Sequence, residues 1–438
     1  MRWRLRLALI VIVGLATRVG YVFAYRRHAA PTGDAFYFHY QADLLAAGKG
    51  FIDPFSLYWA SRVVPGATHP PLWTLVVALA AALGSTTFLA QLLWSCAIGA
   101  ASVALVGMAA REVAGPRAGL IAGAITALYP VFLVDDGSLL AETLVVPLVA
   151  LVVWAFFRLW HQPSLPRAAL LGALCALCAL TRSELVLLVV FLALPAGLVC
   201  RAPSWRRRLS LSGVALLAAI GMFAPWWAYT VPRFSHPVLL SDQLGVTLAS
   251  ANCNQTYSGT LFGYWDDACE TAIVTPRAKD ASARDDLLRH DAISYVEHHA
   301  GRVPAVIAAR LGRAFGVYRV RQQIDLEWVV LGRPRLPAAL GLGVYYLLVV
   351  LAGAGVVVLR GRRLPLWPFV VILGEVVLVT AAIFGQTRYR TPLDVVLIIL
   401  AAVALDRLVD RRSLRRALRR ARPSPRARKV HAITTRGR

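Results

Sequence analysis

The sequence predicts an all-α polytopic membrane protein, a helical bundle of about 10 to 11 transmembrane helices, and three observations carry that expectation. The chain of 438 residues is 58% hydrophobic and 16% charged, with a mean hydropathy of +0.61, more apolar sequence than a soluble core absorbs. Apolar runs of near-spanning length recur along it. The basic residues, which give a formal charge of +24, collect in short loops between those runs and in one tail. That distribution speaks of lipid headgroups and topology and excludes nucleic acid as the partner.

The opening stretch MRWRLRLALIVIVGLATRVGYVFAY has the basic start of a signal peptide, but its apolar run is long enough to span and no small-residue cleavage site follows, so it reads as a retained signal anchor. Further runs lie at 88–110, 117–134, 140–160, 166–181, 184–200, 209–231, 337–359, 364–384 and 392–408. A short run at 69–84, HPPLWTLVVALAAALG, either spans or lies in the interface. If it lies in the interface, MRWRLR, REVAGPR, WHQPSLPR, CRAPSWRRR, RGRR and the tail share one side, which the positive-inside tendency makes the cytoplasm. The chain then divides into residues 1–231 with a first outer loop at 25–87, an outer loop at 232–336, helices in 337–408 and a basic cytoplasmic tail at 409–438. Gly115, Gly119 and Gly123 form a small-xxx-small ladder for helix contact. A helical pattern runs over about 281–318, and RRSLRRALRRARPSPRARK reads as a cationic surface helix that frays.

On this topology the suspicious polar residues share the outer face. Asp34, in GDAFYFHYQADLLAAGKGF, either caps the amphipathic helix that follows it or stands at the membrane surface as a base for a hydroxyl. His69 in THPPLW is a turn residue or a group for an anion, a metal or a proton. In VDDGSLLAETL, Asp135 and Asp136 suit a solvated loop, whereas Glu142 enters a spanning helix, where an ionisable group is costly. Arg182 and Glu184 either pair with each other or leave Arg182 for a phosphate, which its planar fork fits. Arg388, Tyr389 and Arg390 before the last helix form a lipid-phosphate clamp or ordinary interfacial anchors. Glu375, in the middle of an apolar run, calls for a polar partner in the bundle or marks a proton path. Cys253 and Cys269 fall in the outer loop, on the oxidising side, and are expected to form a disulfide. No P-loop, dinucleotide fingerprint or Ser/His/Asp motif is present.

Taken in order, GDAFYFHYQADLLAAGKGF, THPPLW, GPRAGLIAGAITALYP followed by SLLAETL, LTRSELVLL and TRYRTP resemble the GT-C superfamily of membrane glycosyltransferases. The likeness is to the branch around protein O-mannosyltransferases and the lipid A aminoarabinose transferase, glycosyltransferase family 39-like, over most of residues 1–400. The resemblance implies an inverting transfer of a sugar from a polyprenyl-phosphate donor to a hydroxyl of a cell-envelope lipid, glycan or protein. It places the active site on the periplasmic or extracellular face of the plasma (inner) membrane. It matches Asp34 to the first-loop catalytic acid, Glu142 to the acid of the second outer loop, and His69 to a position near the donor phosphate. Here Asp34 is followed by Ala35, where many protein mannosyltransferases carry a second acid. Arg182, Arg388 and Arg390, with His69, are the expected phosphate ligands, and Tyr389 lies among them. No cofactor is signalled, although Asp34, Glu142 and His69 leave room for a divalent metal. A transporter or lipid flippase, and a surface-polysaccharide polymerase or ligase, remain the alternatives.

Overall fold

Proline and short polar side chains start many of the helices. Pro stands at the first helical position of Pro54–Ala60, Pro71–Ala82, Pro116–Leu128 and Pro130–Asp136, where its missing N–H costs nothing. Thr87, Ser204 and Asp280 accept a backbone N–H at the starts of Phe88–Ala114, Trp205–Thr230 and Ala281–His298. The computed structural model describes residues 2–200, 204–276 and 278–420. Among the described residues the secondary structure is helical apart from one isolated bridge between Ile52 and Pro65.

Five helices are long and apolar enough to cross a membrane: Arg2–Arg26, Phe88–Ala114, Glu142–His161, Trp205–Thr230 and Arg335–Gly361. A sixth results if Pro116–Leu128 and Pro130–Asp136, bent by 58°, count as one span. Shorter apolar helices occupy 165–181, 183–199 and 367–382, and the last helix, Thr391–Arg420, carries the start of the basic tail. The rest of that tail, 421–438, lies outside the described residues. The 71–82 helix has twelve residues, about 18 Å at 1.5 Å per residue, too short to cross about 30 Å of hydrocarbon. It packs against Asp34–Ala46. The 281–318 pattern is two helices, Ala281–His298 and Val303–Ala314, separated by a short turn.

Close crossings rest on small residues. A Cβ on Gly119 would strike the Gly107 carbonyl, and Gly123 also faces Gly107, so the 88–114 and 116–128 helices meet backbone to backbone. Gly172 against Ala215 and Gly355 against Leu400 repeat the device. Gly115 stands outside the ladder: its φ of +102° turns the chain between the two helices.

The bend at 129–130 has a definite cause and consequence. Pro130 pushes Tyr129 into extended backbone, with φ −69° and ψ 114°, and the last carbonyls of the 116–128 helix lose their intrahelical donors. Arg18 supplies replacements, donating to Ala127 O at 3.3 Å and Thr126 O at 3.3 Å, while its Nε meets Asp136 at 2.6 Å. Asp135 and Asp136 are therefore buried, where the sequence suited a solvated loop. The bend carries both acids into the bundle.

One end of the bundle gathers Trp3, Arg111, Pro116, Arg117 and Asp410, the basic side of the sequence pattern. The opposite end carries Asp34–Ala46, Pro71–Ala82 and the 232–336 segment. Arg310 ties that segment down, donating to Ala251 O at 2.8 Å and Ala381 O at 3.0 Å, and Gly385 N donates to Gly263 O at 2.9 Å. These bonds fix the chain just before Arg388. Cys253 and Cys269 form a disulfide in the same segment.

Candidate active site

Gly33 sets the position of Asp34. Its φ of 53° with ψ of −128° is a conformation that only glycine adopts readily, and it turns the chain sharply into the Asp34–Ala46 helix. Asp34 stands in the first turn and does not cap the helix. Its carboxylate reaches Arg388 Nη1 at 2.6 Å and His69 Nε2 at 3.5 Å. The His69 ring is wedged against Tyr37 and Phe38, each with its centroid 4.8 Å away, so the aromatic face of the helix orients the histidine toward the acid one turn back.

Three helix ends bring the remaining groups. Glu142 opens the Glu142–His161 helix and is 1% exposed, a carboxylate that only a cation can make tolerable there. Arg182 interrupts the apolar helices on either side, with extended backbone of φ −143° and ψ 122°, and so can reach sideways. It pairs with Glu142, meets Glu184 at 2.5 Å and lies over the Tyr389 ring, 5.1 Å from its centroid. Arg388 sits in the tight turn Thr387–Arg390 with Nε 3.5 Å from Glu142. The result is a continuous chain of charges, Asp34, Arg388, Glu142, Arg182 and Glu184, with the His69 ring beside Asp34. Asp34 keeps part of its side chain accessible, 27%.

The electrostatics follow from this alternation. Burial alone would raise the Asp34 carboxyl, but the Arg388 charge and His69 outweigh it and hold the group well below the usual carboxylate range. Burial alone would lower Arg388; Asp34 and Glu142 reverse that and raise it. Burial pushes the Tyr389 hydroxyl up to about 12, so it stays protonated.

Arg390 does not join the group. It is 2% exposed, donates to Asp394 at 3.1 Å and to Ala314 O at 3.1 Å, and lies over the Tyr345 ring at 3.6 Å. Asp394 also accepts from the Tyr129 hydroxyl at 3.1 Å. Residues 388 and 390, alike in sequence, point to different tasks because alternate positions in the turn face opposite sides. Glu375 is buried and its Oε2 has no hydrogen-bond partner among the described residues, so the expected polar partner is missing there.

Asp135, together with Arg333 and Glu327, which the sequence reading passed over, supports the site from behind. Asp135 pairs with Arg333 at 2.6 Å, Arg333 reaches Glu327 at 3.4 Å, and Glu327 accepts from the Thr387 hydroxyl at 2.6 Å. This network anchors the residue immediately before Arg388. A sequence signal existed: Arg333 precedes a proline at a helix start, as Arg390 precedes Thr391-Pro392, and Glu327 interrupts an apolar stretch.

A metal held by Asp34, Glu142 and His69 does not fit this arrangement. The space between the two acids is taken by the Arg388 guanidinium. Among the described residues no three His, Cys, Asp or Glu side chains converge as metal ligands.

Residues 68–229 match the family described as dolichyl-phosphate-mannose-protein mannosyltransferase. The archaeal oligosaccharyltransferase AglB from Archaeoglobus fulgidus, in complex with an inhibitory peptide and a dolichol-phosphate, is similar in structure with a TM-score of 0.55 and 16% identity, over 96% of this chain and 52% of that one. The oligosaccharyltransferase of the same organism in complex with Zn and sulfate gives 0.54 and 16%, over 94% and 50%. ArnT from Cupriavidus metallidurans in the apo state gives 0.37 and 15%, over 91% and 77%. The chain thus spans about half the length of the archaeal enzymes. No curated protein matches it in sequence. The fold is thus similar to that of the archaeal oligosaccharyltransferases, and residues 68–229 are similar to the mannosyltransferase family.

Proposed function

We propose that the protein transfers a sugar from a polyprenyl-phosphate donor to a hydroxyl acceptor at the outer face of the plasma (inner) membrane, with Asp34 as general base. The observation that carries this reading is the partly accessible Asp34 carboxylate, held ionised between His69 and Arg388 at the mouth of an alternating charge chain. The matched segment belongs to a family named for a lipid-phosphate sugar, and one structural neighbour holds a dolichol-phosphate. Both support a lipid-linked donor.

In this mechanism the acceptor hydroxyl gives its proton to an Asp34 oxygen as its oxygen attacks the anomeric carbon from the face opposite the phosphate. The bond from that carbon to the phosphate oxygen breaks, and its electron pair stays on the phosphate. Because a phosphate leaves readily, a weak base suffices and the site works mainly by positioning and by charge. Arg182 and Arg388, each clamped by acids, are the pre-set cations for the leaving group, and Glu142 fixes both. His69 orients Asp34. Tyr389 supports Arg182 through its ring. Arg390 has its donors engaged elsewhere and serves the helix start.

The members of the charge chain from His69 to Glu184 gather at one end of the bundle, which favours a transferase over a transporter or flippase. A polymerase or ligase of surface polysaccharide differs mainly in donor. The test is incubation of the purified protein in lipid with labelled polyprenyl-phosphate sugars and, as separate acceptors, envelope lipid, glycan and protein fractions. Label moving to an acceptor supports the reading. Label that only crosses the bilayer, or transfer only from diphosphate-linked oligosaccharides, overturns it in favour of a rival.

A further inference from the structure

We propose that Asp242 works as a neutral carboxylic acid, a hydrogen-bond donor that joins the 232–336 segment to the 51–69 loop behind His69, and that loss of its proton loosens this joint. Asp242 is thereby a positioning residue. Its consequence for transfer rests on the transferase reading, whereas the acid form itself rests on geometry.

The joint is closely built. Asp242 N donates to Ala67 O at 3.0 Å, and Gly66 N donates to Phe51 O at 2.9 Å. A Cβ on Gly66 would strike Asp53 N and Gln41 Nε2, so the two arms of the loop and the Asp34–Ala46 helix meet without room for a side chain. From Ala67 the chain leads directly into the site: Thr68 donates to Asp53 Oδ2 at 3.1 Å, and His69 reaches Asp34 at 3.5 Å. On the other side the Ser183 hydroxyl, next to Arg182, donates to the Ser241 hydroxyl at 3.0 Å.

This joint holds more acceptors than donors. Asp242 is 4% exposed, and the charges that act on it are those of Asp285 in Ala281–His298 and Asp53 in the loop, both negative. Asp285 accepts from Gly245 N and Val246 N, and Asp53 accepts from Ser56 N and the Thr68 hydroxyl. Gln243 bonds Asp242 from its own segment. The other titratable groups facing Asp242 are Tyr37 in Asp34–Ala46 and Tyr229 in Trp205–Thr230. Arg233 lies over the Tyr229 ring and Arg289 acts on Asp285; neither pairs with Asp242 among the described residues. Asp242 Oδ1, Gln41 Oε1 and the Tyr37 hydroxyl are buried without a hydrogen-bond partner. A carboxylate and an amide oxygen only accept, so a proton on Asp242 supplies a donor that the ionised form withholds. Burial, then Asp285 and Asp53, push the Asp242 carboxyl up to about 7.

The experiment uses the full chain in lipid, read by thermal unfolding and by sugar transfer between pH 4.5 and 8.5. The raised group keeps its proton in the folded state from the unfolded value of about 4 up to about 7, so wild type loses stability as pH rises across that window and no further above it. Asp242→Asn keeps a donor and never ionises. It should come nearest to wild type at pH 4.5 and exceed its Tm by at least about 3 °C at pH 8. Wild-type transfer should fall by at least about threefold between pH 6.5 and 8.5 as the protonated fraction drops, and Asp242→Asn should not share that fall. Asp53→Asn keeps a helix cap and removes one opposing charge, so it covers a poorly folding Asp242→Asn: the decline in Tm should shrink and end at lower pH. An Asp242→Asn protein less stable than wild type at pH 8, a decline that Asp53→Asn leaves unchanged, or transfer that falls equally in wild type and Asp242→Asn overturns the proposal. So does a Tm at pH 8 that Ca2+ raises in wild type and not in Asp242→Asn, because the carboxylates then hold a cation in place of the proton. If wild type transfers no lipid-phosphate sugar at any pH, the transferase reading fails, and the unfolding arm still decides the state of Asp242.

Discussion

Arg390→Lys separates the two arginines that the sequence presents as a pair. In the structure Arg390 makes a charge-assisted bond to Asp394 at 3.1 Å, a second to Ala314 O at 3.1 Å, and a stacking contact over Tyr345 at 3.6 Å. Lysine keeps one ion pair and cannot hold the other two contacts in the same geometry. A hydrogen bond from a charged group contributes about 1.5–3 kcal/mol and a desolvated cation–π contact about 2 kcal/mol. Allowing for what lysine retains, the variant should be less stable by about 2–4 kcal/mol. Thermal unfolding in detergent reads that loss, and donor titration at fixed acceptor reads the other half. Here the KM for the lipid donor should stay within about twofold of wild type, because less than 0.5 kcal/mol of binding changes. A tenfold rise in donor KM with unchanged unfolding would refute the reasoning and return Arg390 to the phosphate site.

Gly33→Ala places a side chain where φ is +53° and ψ −128°; nothing blocks the Cβ closely, so the cost is backbone strain of about 1–3 kcal/mol. It should show as a lower Tm and a larger loss of kcat, measured together. Asp34 has its pKa depressed in the folded protein, so the ionised form, and the stability it contributes, persist above the unfolded pKa of about 4 and are lost only as pH falls through the lower folded value. Transfer rates should therefore show no acid limb attributable to Asp34 between pH 7 and 5, and a pH–rate profile that falls with a pKa near 6 would contradict the pairing with Arg388. Cys253→Ser or Cys269→Ser opens a disulfide with a sequence separation of 16, worth about 3 kcal/mol in the chain-entropy model. Unfolding monitored with and without reductant should converge for wild type and variant once reductant is present.

Much of the bundle was legible because apolar length and basic loops are strong signals that act locally. The gathering of Asp34, His69, Glu142 and Arg182 at one end followed from topology alone, since each stands at a helix end of the same parity. The bend at Tyr129-Pro130 was not legible in that way. Its cost is met by Arg18, over a hundred positions away, which pairs with the buried Asp136, while Arg333, about two hundred positions on, pairs with the buried Asp135. The difference between Arg388 and Arg390 was hidden for a similar reason. Both precede the same helix, and their roles are decided by Asp34 and Glu142 on one side and by Asp394, Ala314 and Tyr345 on the other. Glu375 was legible as a costly mid-helix acid, and its buried Oε2 has no hydrogen-bond partner among the described residues.

Sugar transfer by Asp34→Asn, measured in lipid beside wild type, bears most directly on the proposed chemistry. The substitution keeps the shape of the side chain while removing the base, and general-base catalysis contributes about 10²–10⁴-fold. The account predicts a loss of at least about 10²-fold in kcat, with the donor still bound and the protein still folded by its unfolding curve. An Asp34→Asn protein that transfers sugar at close to the wild-type rate would contradict the assignment of Asp34 as the base.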